Sequence, residues 1–226
     1  MREVVIDTET TGLNHKSGDR VIEVGCVELI NHVATNKCLQ FYCKVDKDIS
    51  ESAQKITGIT NRFLSDKKSF SEHCDGFLSF IGNDPLIIHN AAFDIGFINN
   101  ELSFIGRPAI TNPVVDTVTL ARKVLNTRVA NLDYLCRRFK VDLSERDLHG
   151  ALLDSRLLAE VYLELKGGKQ FSMNLSKDNE TNTNQDSKKE TNNKKIITFQ
   201  ALEEDVTLHK KTFGETKEAV WKKYNY

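Results

Sequence analysis

An apolar strand that ends in two acidic residues constrains this chain more than any other feature. Val4, Val5 and Ile6 are consecutive, β-branched and apolar, and they predict a buried strand close to the start of the sequence. Asp7 and Glu9 follow directly, and because residues two apart in a strand point to the same side, both carboxylates should project together. Two like charges so close cost stability unless a cation lies between them. A solvated strand end with two exposed acids is the alternative for this pair alone.

Patterns of strand and helix over residues 1–166 predict one α/β domain. Strands are expected at residues 4–8, 20–30, 38–45, 86–89 and 114–117, and helices at 70–82, from 91 onward, after 117, at 131–139 and at 150–165. Ser71 is the expected N-cap of the helix at 70–82. An antiparallel meander of the first three strands, followed by alternating helices and strands, predicts a mixed five-stranded sheet flanked by helices.

Charge and cysteine content narrow the class of protein. The chain has 31 basic and 32 acidic residues, so no overall positive field attracts a nucleic acid, and metal ions or local patches would have to do so. The five cysteines form no C-x-x-C pair, which favours reduced thiols over a zinc site or disulfides.

A strand that begins at residue 2 leaves no room for a signal peptide, and no apolar run has the length of a membrane span. A cytoplasmic protein is expected.

Two further acids fall on predicted apolar helix faces. In the helix that starts near residue 91, Asp94 lies three and four positions before Phe97 and Ile98 and shares their stripe. In the last predicted helix, Asp154 lies among core-facing leucines. An acid on an apolar face is costly unless it is paired or coordinated. Pairing with an arginine is the alternative for either acid alone, whereas both acids together with the strand pair favour one cluster.

Four acids with no cysteine and few histidines suit hard cations, so Mg²⁺ or Mn²⁺ is the expected metal. The expected ligands are Asp7, Glu9, Asp94 and Asp154. Two such ions about 4 Å apart would stabilise the attacking and leaving oxygens of phosphodiester cleavage. His149, in the turn before the last helix and next to Gly150, can reach the same site, and a pKa near 6.5 suits it to accept a proton from water. A helix-start histidine with no chemistry is the alternative.

The composition changes after residue 166. Residues 167–195 are dominated by Asn, Thr, Lys, Ser and Asp and cannot bury enough apolar surface to fold, which predicts a flexible, disordered linker. Apolar residues return at 196–226, too many for a linker and too few for an independent core. This segment is expected to become ordered on a partner, and a frayed tail without a function is the alternative.

Three motifs resemble those of the DEDDh group of exonucleases. They are DTETTGL from residue 7, HNAAFDIGFIN from residue 89 and LHGALLDS from residue 148. Three long motifs in order are specific, and the resemblance covers about residues 2–173. It implies a ribonuclease-H-like fold and 3′→5′ hydrolysis that releases nucleoside 5′-monophosphates from a DNA end. Within the group, the chain is most similar to the proofreading subunits of bacterial replicative DNA polymerases.

The resemblance also implies roles for single residues. Asp7, Glu9 and Asp154 are implied as ligands of two divalent ions. Asp94 completes the acidic set, and His149 is implied as the general base that deprotonates the attacking water.

Contacts with the DNA 3′ end are implied in the same way. The implied substrate-binding residues are Asp7, Thr8, Glu9, Ser52, Thr57 and Asp154. Close relatives carry a Glu and a His where this chain has Ser52 and Thr57, so the nucleotide contacts of this segment depart from the pattern of the group. Drift at a solvent-exposed contact is the favoured explanation.

Partners are implied at two places in the tail. Residues 170–175, QFSMNL, resemble the short motif by which members of the group touch the sliding clamp, with a Gln followed by apolar residues that fill a pocket. Residues 196–226 stand where the group docks onto the polymerase catalytic (alpha) subunit, and a small theta-like subunit is a further expected partner. A tether of this kind would raise the local concentration of exonuclease near the primer end. No membrane contact is expected.

Two other functions remain open from the sequence. One is an enzyme that trims RNA 3′ ends, of the RNase T-like or oligoribonuclease-like kind, and the long tail and the clamp-like motif argue against it. The other is a non-catalytic scaffold between the polymerase and accessory proteins. The intact set of acids with His149 argues against the scaffold.

Overall fold

The computed structural model describes residues 1–144, 146, 148–167 and 207 of the 226-residue chain. The chain divides into two compact units, Met1–Asn174 and Leu175–Tyr226. Thr207 is the one described residue of the second unit. The predicted clamp motif at 170–175 therefore lies outside the described residues, as do the predicted linker beyond residue 167 and all but one residue of the predicted polymerase-binding segment.

One mixed five-stranded sheet forms the centre of the first unit, as the sequence predicted. Its strands are β1 (Arg2–Thr10), β2 (Val21–Ile30), β3 (Val33–Tyr42), β4 (Leu86–Ile88) and β5 (Val114–Asp116). They are arranged in the order β3-β2-β1-β4-β5, with the β1–β2 and β2–β3 pairs antiparallel and the β1–β4 and β4–β5 pairs parallel. The strand that carries Asp7 and Glu9 is thus the central one.

Seven helices flank the sheet in the described residues. They are α1 (Glu51–Thr57), α2 (Asn61–Leu64), α3 (Phe70–Ile81), α4 (Ala91–Phe104), α5 (Thr117–Leu125), α6 (Leu132–Phe139) and α7 (Ala151–Leu165), with a 3₁₀ turn at His15–Ser17. The five longer helices match the predicted ones. The two short helices, α1 and α2, were not predicted, because seven and four residues are too few to show a helical period.

The two faces of the sheet carry separate apolar cores, and alternating side chains of β1 pack into both. Val4 and Ile6 pack into the core formed with α3 and α4, whereas Val5 packs into the core formed with α6 and α7. Successive strand residues point to opposite faces. Consequently Thr8 faces α4, and Asp7 and Glu9 face α7.

The structure corrects the predicted start of the third strand. β2 and β3 are joined by only two residues, Asn31 and His32, so β3 begins at Val33 and not at residue 38. Both joining residues have positive φ, 51° and 62°, as two-residue hairpins of the I′ type require. His32 is an uncommon residue for such a turn, and the sequence therefore favoured a longer connection.

The N-cap of α3 is also corrected, from Ser71 to Ser69. The backbone N–H of Ser69 donates to Oε2 of Glu72 at 2.9 Å, which is half of a capping box. Ser71 lies inside the first turn.

The cysteine side chains and the apolar character of the helices are both described. All five cysteines are free thiols, and all but Cys38 are buried. Among the described helices, none combines the length and the apolar character that a membrane crossing would need.

Candidate active site

Asp94 is fixed to the central strand by Thr8. Asp94 lies in the first turn of α4, just after β4, and its Oδ1 accepts hydrogen bonds from the backbone N–H of Thr8 at 3.0 Å and from the Thr8 hydroxyl at 2.7 Å. Both residues are buried. β1 and β4 are parallel neighbours, so the start of α4 lies beside the end of β1. The two bonds therefore connect the motif that contains Asp94 to the motif that contains Asp7 and Glu9.

On the opposite face, Glu9, His149 and Asp154 converge. One ligand atom of each lies within 4.8 Å of the others. Nδ1 of His149 lies 3.2 Å from Oδ2 of Asp154, so the turn before α7 does bring residue 149 back to residue 154. The His149 side chain is 47% exposed and that of Asp154 only 5%, which leaves the ring open to solvent above a buried acid.

Three carboxyl groups in this part of the molecule have raised pKa values. Burial, and then the neighbouring carboxylates of Asp94 and Glu9, raise the pKa of Asp7 well above its ordinary value. Burial raises the pKa of Glu9 to about 8, although His149 opposes the shift. Burial also raises the pKa of Asp94 to about 7, against the hydrogen bonds from Thr8. A bound cation would reverse these shifts by favouring the charged forms.

In Asp154 and His149, hydrogen bonds outweigh burial and favour the charged form of each group. Burial alone would raise the pKa of Asp154, but hydrogen bonds from His149 and Arg146 outweigh it and lower the pKa of the carboxyl. The same hydrogen bond from Asp154 raises the pKa of His149 against the effect of burial. Asp154 is therefore the charged acid of the group, and it stabilises the protonated form of the histidine.

The first turn of α7 is held against β2 at three points. Gly25 is the register partner of Asp7, and a Cβ there would lie 2.2 Å from the backbone of Ala151, so only glycine admits the helix at this distance. The backbone N–H of Ala151 donates to Oε2 of Glu23 at 3.2 Å, and the hydroxyl of Ser155 donates to the carbonyl of Gly25 at 2.9 Å. Because β2 pairs with β1, these contacts place Asp154 beside Asp7.

Glu23 is a buried acid that the sequence analysis did not single out. It is the cross-strand partner of Glu9 and is 1% exposed. Its second oxygen, Oε1, accepts a hydrogen bond from Nε2 of Gln40 at 2.7 Å. Alternation of side chains along β2 predicts that Glu23 and Gly25 share a face of the sheet. It does not predict which face packs against α7.

Arg146 is a second charged residue beside the candidate site that the sequence did not predict. Its guanidinium contacts the carboxylate of Asp154 through two nitrogens, at 2.6 and 2.8 Å. Pairing with an arginine was the alternative considered for Asp154, and the structure shows this pairing; it also brings Asp154 close to Glu9 and His149, whereas the shared site with Asp7 and Asp94 stays a prediction. Arg146 lies in a loop, where no periodicity predicts the direction of a side chain.

The donor set fits a divalent cation that prefers oxygen. No hydrogen bond or ion pair from the described residues engages the carboxylate of Asp7 or of Glu9, although each lies among other acids. Acidic oxygens with one histidine are ligands typical of Mg²⁺ or Mn²⁺. In the described residues, the group of converging ligand atoms is formed by Glu9, His149 and Asp154 and includes no cysteine, which would favour a softer metal.

Ser52 and Thr57 lie on α1, which borders the site. The backbone N–H of His149 donates to the carbonyl of Ile56 at 3.0 Å, so the end of α1 contacts the histidine loop directly. Ser52 is exposed. Thr57 is buried, and its hydroxyl donates to the carbonyl of Ala53 and accepts from the N–H of Ile59. Their contacts with a nucleotide stay predictions, as do those of Thr8.

A family model described as Exonuclease matches residues 4–162 of the chain. A DNA polymerase III subunit epsilon of Rickettsia felis is 43% identical over 217 residues, which cover 93% of this chain and 94% of the relative. The DNA polymerase III subunit epsilon of Escherichia coli is 43% identical over 192 residues, covering 81% and 79%. This chain belongs to the exonuclease family, among the DNA polymerase III epsilon subunits. The predicted membership is thereby confirmed.

Solved exonuclease structures share the fold of this epsilon-family chain. Exonuclease X, solved with 5′-overhanging duplex DNA, superposes with a TM-score of 0.58 at 24% identity, over 72% of this chain and 90% of its own. A structure of exonuclease I superposes with a TM-score of 0.65 at 18% identity, over 73% of this chain and 40% of its own. The predicted ribonuclease-H-like fold is confirmed.

Proposed function

We propose that this chain is the 3′→5′ proofreading exonuclease of a bacterial replicative polymerase complex, and that it releases mismatched 3′-terminal nucleotides as 5′-monophosphates. The observation that carries the proposal is the convergence of ligand atoms of Glu9, His149 and Asp154 within 4.8 Å of one another. Asp7 lies two residues before Glu9 on β1. Likeness to epsilon subunits over almost the whole chain supports the polymerase setting and a cytoplasmic location.

Asp7, Glu9 and Asp154 would hold two Mg²⁺ or Mn²⁺ ions, with Asp94 completing the acidic set. Such ions, when bound, supply a water that ionises near neutral pH and positive charge for the phosphate oxygens. The protein contributes the placement of the ligands. β1 fixes the first two acids, and the contacts of α7 with β2 fix the third at the same level of the sheet.

His149 would act as the general base. A hydrogen bond between its Nδ1 and Asp154 leaves Nε2 as the position that accepts a proton, and the exposed ring lies where solvent enters. The attacking water gives one proton to His149, and its oxygen bonds to the phosphorus of the terminal nucleotide. The bond from phosphorus to the 3′ oxygen of the next nucleotide breaks, and that oxygen takes up a proton from solvent.

The DNA 3′ end would reach these residues along the edge formed by β1, α1 and the histidine loop. Ser52, exposed on α1, and Thr57, one residue from the carbonyl that accepts from His149, are the proposed contacts for the terminal nucleotide. Thr8 would contribute through the strand that it shares with the acids, because its own hydroxyl is engaged by Asp94.

The polymerase alpha subunit would bind residues 196–226, and the sliding clamp would bind residues 170–175. A small theta-like subunit is a third proposed partner. The sequence match to the Rickettsia felis relative runs over 93% of the chain, so it extends well into the tail, which supports a shared role for this region.

The test is hydrolysis of a labelled primer by the full chain with Mg²⁺. A 3′-mismatched primer should be shortened faster than a paired one, because fraying a mismatch costs less energy. Asp7→Ala should reduce release of monophosphates to background, whereas Asp66→Ala, which removes an exposed acid paired with Lys67, should not. Equal or faster shortening of RNA would identify an RNA-trimming enzyme instead. Polymerase binding without any hydrolysis would identify a scaffold.

A further inference from the structure

Arg146 is held between two acids that belong to different helices. Its Nε and one terminal nitrogen donate to the two oxygens of Asp154 at 2.6 and 2.8 Å, in the planar fork that arginine forms with a carboxylate. Its other terminal nitrogen donates to Oδ1 of Asp133, in the first turn of α6. The side chain is only 7% exposed. The guanidinium therefore links α6 to the acid of α7.

The same guanidinium also contacts the histidine. The terminal nitrogen that meets Asp154 lies 3.0 Å from Nδ1 of His149, and Nδ1 lies 3.2 Å from Oδ2 of Asp154. The three groups form a closed triangle. Arginine can only donate, so in the tautomer that leaves Nε2 free to accept a proton, Nδ1–H donates to Asp154 and Arg146 holds the ring through the acid that both contact.

These contacts leave little of Arg146 for DNA. A guanidinium has five N–H donors; hydrogen bonds to Asp154 and Asp133 engage three of them, and the nitrogen that donates to Asp154 also faces His149. The charge of Asp133 also offsets that of Arg146, so the pair fixes the direction of the carboxylate without adding net positive charge beside a cation site.

We propose that Arg146 is a positioning residue for the reaction. It sets the plane of the Asp154 carboxylate and the position of His149, and it transmits the position of α6, through Asp133, to the metal side of α7. This inference rests on the proposed metal-dependent function. A partner that holds a metal ligand in place commonly contributes 10–100-fold to metal affinity or activity.

Titration of the full chain with Mn²⁺ by calorimetry tests the proposal without any turnover. Arg146→Gln should weaken Mn²⁺ binding about 10-fold or more. Arg146→Lys should stay weakened, because lysine keeps the charge but cannot contact both oxygens of Asp154 and Asp133 together. In the activity assay, kcat of Arg146→Gln should fall, while KM for the primer changes by less than about threefold, since the substitution removes no contact with the substrate.

Arg2→Gln is the matched control. Arg2 also bridges two acids, Glu28 and Asp84, but at the opposite end of β1. This variant should lower thermal stability and leave Mn²⁺ affinity unchanged, which separates a loss of stability from a loss of positioning.

Unchanged or tighter Mn²⁺ binding by Arg146→Gln would overturn the proposal, and tighter binding would show that the guanidinium competes with the cation. If that variant does not fold, Asp133→Ala decides, because Asp133 is 49% exposed and its removal frees one side of the bridge. Weaker Mn²⁺ binding by Asp133→Ala supports the proposal, and unchanged binding overturns it. Failure of the wild-type chain to bind Mn²⁺ would instead reject the proposed function.

Discussion

Thr8 and Asp94 share a single carboxylate oxygen: the N–H and the hydroxyl of Thr8 both donate to Oδ1 of Asp94, at 3.0 and 2.7 Å. Thr8→Val keeps the shape of the side chain and the N–H but removes the hydroxyl. We expect kcat to fall about 10–100-fold, because Asp94 loses one of the bonds that orient it. The rate of primer hydrolysis measures this. Thr8→Ser should recover most of the activity, and full activity of the valine variant would show that the hydroxyl has no such role.

The metal-free protein should lose stability as the pH rises. The pKa of Glu9 is raised by burial from its ordinary 4.5 to about 8, and that of Asp94 by burial from 3.8 to about 7. The folded state therefore binds more protons than the unfolded state between about pH 4 and 8, and stability falls through this window. His149, whose pKa is raised by Asp154, adds stability at low pH that is lost in the same direction.

Thermal unfolding in EDTA measures this effect. We expect Tm to drop by about 5 °C or more between pH 5 and pH 8, with Mg²⁺ restoring most of the loss, since the cation binds the deprotonated acids. Glu9→Gln should flatten the pH profile. Asp66→Asn should not, because a hydrogen bond from Lys67 lowers the pKa of Asp66 and confines its effect to more acidic pH. A flat wild-type profile would contradict the prediction.

Gly25→Ala should damage both stability and the site. The added Cβ would lie 2.2 Å from the backbone of Ala151 and would force α7 away from β2. We expect a loss of about 3 kcal/mol or more in unfolding free energy, and no detectable hydrolysis in the folded fraction. Urea denaturation and the primer assay measure the two effects.

Gly76→Ala is the control for Gly25→Ala. Gly76 lies inside α3, and a Cβ there meets nothing within 4 Å. This variant should gain about 0.5–1 kcal/mol, because alanine restricts the unfolded chain and favours the helix. Equal stability of the two alanine variants would show that the close contact of α7 with β2 is not a constraint.

Removal of residues 196–226 should separate the two proposed activities. The acids and His149 all lie before residue 155, so the shortened chain should hydrolyse a primer at the wild-type rate. It should no longer co-purify with the polymerase alpha subunit. Retention of the complex after truncation would place the binding surface on the exonuclease domain.

The sequence predicted the parts of the fold that have a strong local pattern. The buried run before Asp7 predicted the central strand. Asp154 lies in the expected helix and close to Glu9, whereas a common site that also includes Asp94 stays a prediction. The hairpin at Asn31 and His32 was missed because its turn lacks the usual glycine.

Residues that act across long sequence separations were beyond sequence reasoning. Glu23 contacts Ala151, 128 positions away, and no local period predicts that contact. Arg146 contacts Asp154 from a loop, where a charged residue ordinarily suggests solvent. Both depend on how α7 packs against the sheet, which is a property of the completed fold.

The order of the elements along the chain has a consequence for synthesis. α7 is the last described helix of the domain, and it carries Asp154 and follows His149, whereas β1 with Asp7 and Glu9 is made first. A growing chain therefore carries Asp7 and Glu9 without Asp154 until α7 has been made. Cutting ability would appear only when α7 has emerged and docked, so a chain that stops before this helix would lack Asp154.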